Sequence, residues 1–112
     1  MSDRELLMKA AKSVGKELDL DRFDDEMGFI ILGISRWWNP LTNDGDALRL
    51  AAALKIDLEW QSTGPFPETR VEAYQRNQEG SWFCADEAED DYRRAITRVA
   101  AAIQEAKETC DA

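Results

Sequence analysis

The sequence predicts an α+β fold: a three-layer α-β-α sandwich whose one mostly antiparallel four-stranded sheet carries helices on both faces, in the order α-β-α-β-β-β-α. Three observations predict it. Residues 29–34 and 81–85 are apolar at successive positions, so both faces of those strands need cover. Residues 56–60 alternate apolar and polar side chains, the pattern of a strand with one wet face. Residues 3–14, 46–55 and 87–108 space their apolar positions three and four apart, as helices do. With 112 residues, 44% of them apolar and 33% charged, the chain reads as a single domain over residues 1–112, of a size that buries roughly two thirds of its unfolded surface without staples.

Each element has its own justification. Ser2 and Glu5 have capping-box spacing ahead of Leu6, Leu7, Ala10, Ala11 and Val14, and Gly15 ends that helix. Residues 16–26 place six carboxylates against two basic residues, broken by Leu18, Leu20 and Phe23, and read as a connector with room for a short edge strand. Asp19 and Asp21 have the spacing of the first two ligands of a calcium loop, but Phe23 takes the third ligand position and the required glycine is missing. Phe29 to Ile34 form a central strand. The helix over residues 46–55 buries Ala47, Leu48, Leu50, Ala51 and Leu54, and the next strand puts Ile56, Leu58 and Trp60 on one face. Residues 62–69, with Gly64-Pro65-Phe66-Pro67, read as a loop with an aromatic tip. Strands over 70–75 and 81–85 flank a hairpin loop at 77–80, with Trp82 and Cys84 on one covered face and Phe83 and Ala85 on the other. The last helix repeats Tyr92, Ala95, Ile96, Val99, Ile103 and Ala106, with Asp86, Glu87, Glu89, Asp90 and Asp91 at its positive end.

The most informative stretch is Trp37-Trp38-Asn39-Pro40-Leu41-Thr42-Asn43-Asp44-Gly45-Asp46-Ala47-Leu48-Arg49-Leu50-Ala51, an aromatic turn that runs into a helix start. Pro40 stops whatever precedes it, residues 42–45 supply turn and cap chemistry, and Asp46 places charge where the first helical N–H groups point. From Trp38 to Ala51 this segment resembles the small bacteriophage and prophage proteins of the phage α-β-α sandwich family. The opening helix (Asp3-Arg4-Glu5-Leu6-Leu7) and the closing one (Tyr92-Arg93-Arg94-Ala95-Ile96) resemble it more loosely. The resemblance implies a phage origin, a sheet with helices on both faces and a non-structural accessory gene, and it implies no reaction. Trp38, Asn39, Pro40, Asp44, Gly45, Asp46 and Arg49 are then structural. The linkers around residues 16–26 and 64–67 depart from the family pattern and are where partner preference is expected.

Composition narrows the function classes. A net charge of −9 disfavours direct nucleic-acid binding, which draws its affinity from lysines and arginines releasing counterions. It leaves either a solvated surface or an acidic face for a basic partner. The absence of histidine removes the commonest general base, the Ser-His and Cys-His arrangements and the commonest metal ligand, so neither a metal nor a cofactor is expected. No phosphate-cradling glycine loop is present. Cys84 reads as an inert core thiol, and with Cys110 as the only other cysteine the chain fits a reducing compartment. The first residues lack the basic and apolar regions of a signal peptide, and no stretch is apolar enough to cross a bilayer, so the expected place is the cytoplasm of a bacterial host.

Candidate contact residues follow from exposure arguments. Trp37 and Trp38 are adjacent and must face opposite ways if extended, which makes Trp37, beside Arg36, a candidate for partner contact and Trp38 an anchor. Phe66 at its loop tip and the acidic groups Asp24, Asp25, Glu26, Asp90 and Asp91 complete the set, the last five as mimics of nucleic-acid charge. The leading expectation is a non-enzymatic protein that binds and blocks a host protein, such as a nucleic-acid-binding component of a CRISPR-Cas-like defence. Two alternatives stay open: a binder that sequesters a nucleotide signal, with Trp37 or Tyr74 stacking the base and Arg36 or Arg49 taking phosphate, and an enzyme built on Asp44 and Asp46. An exposed Trp60 or an unpaired edge strand would favour a homodimer.

Overall fold

The computed structural model describes residues 2–63, 68–76 and 82–110. The fold is α+β, with three helices and two separate three-stranded antiparallel sheets among the described residues. In chain order the elements are α1 (Asp3–Ser13), β1 (Leu18–Asp24), β2 (Gly28–Ile31), β3 (Arg36–Trp38), α2 (Asp44–Leu54), β4 (Asp57–Thr63), β5 (Glu68–Arg76), β6 (Trp82–Ala88) and α3 (Tyr92–Cys110). The expected single four-stranded sheet and its order are therefore corrected: each of the first two helices is followed by a three-stranded meander, and α3 closes the chain.

The first meander arises where one long strand was expected over 29–34. Ser35 adopts a left-handed conformation (φ 52°) and its N–H donates to the Ile31 carbonyl at 3.1 Å, so the chain turns back after β2 and leaves Leu32 and Ile34 exposed. Arg36 to Trp38 then pair with β2, with Phe29 opposite Trp38, and the supposed aromatic turn is a strand. On the other edge the acidic connector supplies β1. Its ladder runs Leu18–Ile31, Asp19–Ile30, then Phe23–Phe29, so residues 20–22 bulge out between pairs. That bulge lets a charge-rich segment pair while sending three residues away from the ladder.

Helix ends follow their local chemistry. Ser2 caps α1 through its hydroxyl on the Glu5 N–H, and at the other end Gly15 (φ +73°) donates to the Lys12 carbonyl while Lys16 donates to that of Ala11. Asn43 caps α2, starting it at Asp44 rather than 46, and Lys55 ends it in a left-handed conformation, φ 59°. Leu48, expected in the core, is exposed on the outer side of α2. The last helix starts at Tyr92 rather than 87, because Asp86 and Glu87 pair with Glu72 and Val71 in the β5–β6 ladder.

The core is organised by α3. Ala95, Ile96 and Thr97 are buried in succession, as are Val99, Ala100 and Ala101, so the helix is covered over most of its circumference. It packs against α1, α2, β5 and β6. Its alanines allow that close approach, and the Thr97 hydroxyl is satisfied by the Arg93 carbonyl at 2.8 Å. Phe29, Ile31 and Trp38 of the first sheet, Val71, Ala73 and Ala85 of the second, and the inner faces of all three helices form one continuous hydrophobic cluster. The helices are thus not divided over the two faces of one sheet.

Candidate functional site

The second sheet buries one face and leaves the other open. Val71, Ala73 and Ala85 are buried on the side of α3, whereas no helix packs on the opposite side among the described residues. Pairing brings the outward residues into rows: Arg76 beside Trp82, then Asp57, Tyr74 and Cys84, then Glu59, Glu72 and Asp86, then Gln61 and Arg70. The face is therefore acidic in its middle and aromatic at one end. The rings of Tyr74 and Trp82 stack with centroids 5.3 Å apart and planes within 10°. The Arg76 guanidinium lies 4.7 Å from the Trp82 ring centroid. Arg70 is taken by Asp86, Nε to Oδ2 at 2.9 Å, which leaves Asp57, Glu59 and Glu72 without ion-pair partners among the described residues. These three carboxylates, with Lys55, Tyr74, Arg76 and Trp82, line an open hollow of about 580 Å³. Cys84 is exposed on this face, so the expected inert core thiol and the doubly covered strand are both corrected. The run of apolar residues in β6 is misleading because α3 covers one face of the strand only.

The expected motif residues converge elsewhere, on the start of α2. Trp38, Asn39, Pro40 and Asp46 are buried. Asp46 accepts from the Asn39 N–H and from Arg49, both within 2.9 Å, while the Asn39 side-chain amide donates to the Glu26 carbonyl at 3.0 Å and its oxygen accepts from the Leu41 N–H. Gly45 sits against the Arg49 guanidinium. Asp44 points away from this network. It accepts from the Tyr92 hydroxyl at 2.5 Å and from Arg93 at 2.7 Å, tying α2 to the start of α3. The Tyr92 hydrogen bond, then that from Arg93, holds the Asp44 carboxyl below its ordinary range, and the same contact raises the Tyr92 phenol. Two carboxylates committed to different partners do not share a substrate position, and the acid/base pair is not assembled.

Comparison with protein-family models, with curated proteins and with solved structures found no match.

The remaining candidates are scattered. Trp37 is 37% exposed and faces away from Trp38, with Arg36 exposed beside it at the edge of the first sheet. Asp24 closes the β1–β2 turn by accepting from the N–H groups of Glu26 and Met27, the Met27 contact first, and both hold its carboxyl below the ordinary range. Asp25 and Glu26 are exposed in that turn, and Asp90 and Asp91 in the one before α3. Phe66 lies outside the described residues. Arg49 is taken by Asp46, and neither it nor Arg36 lies on the sheet that carries Tyr74, so of the pairings expected for a nucleotide only Trp37 and Arg36 are neighbours. Trp60 is 49% exposed, its indole N–H donating to the Glu89 carbonyl at 3.3 Å. Sequence reasoning missed Glu59, Glu72, Arg76 and Trp82 as one surface. Their signal is the period-two polarity of three separate strands, which becomes a patch only once the register is known.

Proposed function

We propose that the protein is a non-enzymatic binding module that engages a basic partner through the open face of its second sheet. The observation that carries the proposal is that this face sets three carboxylates without ion-pair partners among the described residues, Asp57, Glu59 and Glu72, beside a stack of half-buried Tyr74 on exposed Trp82. An aromatic anchor supplies desolvated contact area, and the carboxylate row supplies charge complementarity and steering for a lysine- and arginine-rich surface. The resemblance of residues 38–51 to the phage α-β-α sandwich family and the net charge of −9 support reading that partner as a host protein. It is then blocked at its nucleic-acid groove by a phage-encoded accessory protein, in the manner of a CRISPR-Cas inhibitor. The nucleotide-sequestering alternative would use the same Tyr74–Trp82 stack with Lys55 and Arg76 taking phosphate, but the adjoining carboxylates oppose an anionic ligand.

Affinity capture from a host lysate, comparing the unaltered chain with a Glu59→Lys/Glu72→Lys variant, tests the reading. A stoichiometric partner that is lost at high salt and not captured by the variant is expected. Equal capture by both proteins would overturn the assigned face, and recovery of material absorbing at 260 nm without protein would favour the nucleotide.

A further inference from the structure

The cleft between α1 and the first sheet differs in character from the acidic remainder. Half-buried Met8 and Leu18 and exposed Leu20 and Leu32 line it, with Lys12 and Lys16 at its rim, and it measures about 350 Å³. Backbone bonds hold its two exposed leucines in place. Leu20 lies in the β1 bulge, where its carbonyl accepts from the Arg4 guanidinium at 2.9 Å, and Leu32 follows β2, where its N–H donates to the Glu17 carbonyl at 2.9 Å. Their side chains are nevertheless 47% and 52% exposed. Lys12 and Lys16 form no ion pair among the described residues, as Arg4, Arg36, Lys55, Arg76 and Lys107 form none, but these two stand together at an apolar cleft. A chain of net charge −9 thus keeps two uncommitted cations at the rim of its apolar cleft.

We propose that this cleft binds a small anionic amphiphile of the fatty-acid class. The acyl chain lies along Met8, Leu20 and Leu32, and the carboxylate is taken by Lys12 and Lys16. The volume falls in the range of small-molecule sites, and the unbranched thioether of Met8 adapts to a flexible chain. A neutral amphiphile would bury the same apolar surface but leave both lysines unpaired. An anionic lipid surface would offer the same headgroup chemistry, but the chain's net charge repels it at long range, so the occupant is the free acid. Glu17, the carboxylate at the cleft, disfavours anions with more than one charge. The cleft is built from other elements than the open face of the second sheet, so it stands or falls separately.

The test is displacement of a fluorescent fatty-acid probe from the full chain by laurate, dodecanol or dodecyltrimethylammonium, with vesicles of phosphatidylglycerol in a separate arm. Laurate is expected to displace the probe at roughly tenfold lower concentration than dodecanol, a preference that shrinks as salt rises. Lys12→Gln/Lys16→Gln should bring the two ligands within about twofold. Leu32→Gln, at an exposed turn position that leaves the core intact, should weaken laurate and dodecanol alike. The proposal is overturned if laurate fails to displace the probe, if laurate and dodecanol act equally on the unaltered chain, if the ammonium amphiphile is preferred, or if only vesicles bind.

Discussion

Gly28 is the position where one added methyl group should do the most damage. It begins β2 with φ at +82°, and a Cβ there would stand 2.2 Å from the Trp38 carbonyl oxygen and 2.7 Å from Asn39 Cβ. Neither neighbour can retreat. Trp38 is held in the β2–β3 ladder opposite Phe29, and Asn39 is held by its bonds to Glu26 and Asp46. Forcing an L residue into the left-handed region costs about 1–2 kcal/mol. Overpacking against a closed site adds about 1–3 kcal/mol. Gly28→Ala should therefore lose roughly 2–5 kcal/mol of the 5–15 kcal/mol typical of such a domain. Gly15→Ala is the control. That residue has a similar φ, +73°, but nothing within 4 Å of the added atom, so only the conformational cost of about 1–2 kcal/mol applies. Urea unfolding followed by the fluorescence of the four tryptophans reads both, with the Gly28→Ala midpoint expected roughly 1–2 M below that of the unaltered chain. Equal midpoints for the two variants would refute the close approach of β2 to the Trp38–Asn39 backbone.

Asp46→Ala should cost about 2–4 kcal/mol in the same assay, because it leaves the buried Asn39 N–H and one face of Arg49 without an acceptor, and a loss below 1 kcal/mol would count against the network. Lys55→Gly should raise stability by about 0.5–1 kcal/mol, since a lysine ends α2 in a left-handed conformation that glycine adopts freely. The Asp44 carboxyl is held below its ordinary value by the Tyr92 hydroxyl and Arg93, so its contribution is present above the unfolded-state pKa and is lost as pH falls through the lower folded value. Asp44→Asn should accordingly lower stability at neutral pH and converge with the unaltered chain in acid, flattening the limb below about pH 4, as thermal melts across pH would reveal. Because the same contact raises the Tyr92 phenol, the unaltered chain should also lose stability as pH rises through the tyrosine range, and the variant should lose less.

Much of the local structure was legible in the residues because it depends on near neighbours. Ser2, Gly15 and Asn43 mark helix ends by their own hydrogen-bonding and conformational preferences, and the burial of Trp38 with exposure of Trp37 follows from strand alternation once residues 36–38 are extended. The α+β class and the central place of β2 in its sheet were legible too. The break at Leu32 was not, because six apolar residues in a row look like one strand until the left-handed turn at Ser35 is known. The edge strand allowed for within residues 16–26 is β1, but the bulge its pairing needs was not legible.

The chain by itself determined the two ends of α1, which segments are apolar and how much charge the surface carries, since each of these is set by side chains within a few positions of one another, whereas the start of α3 was set by the β5–β6 ladder. Only the tertiary structure decided that the strands form two sheets, that α3 is enclosed by α1, α2 and β5–β6, and that Glu59, Glu72, Tyr74 and Trp82 share one open face. The physical reason is that apolar residues state that a surface must be covered without stating by what. Alanines in α3 fit against a helix as well as a sheet, and a strand's second face is buried or open according to partners that lie far away in the chain.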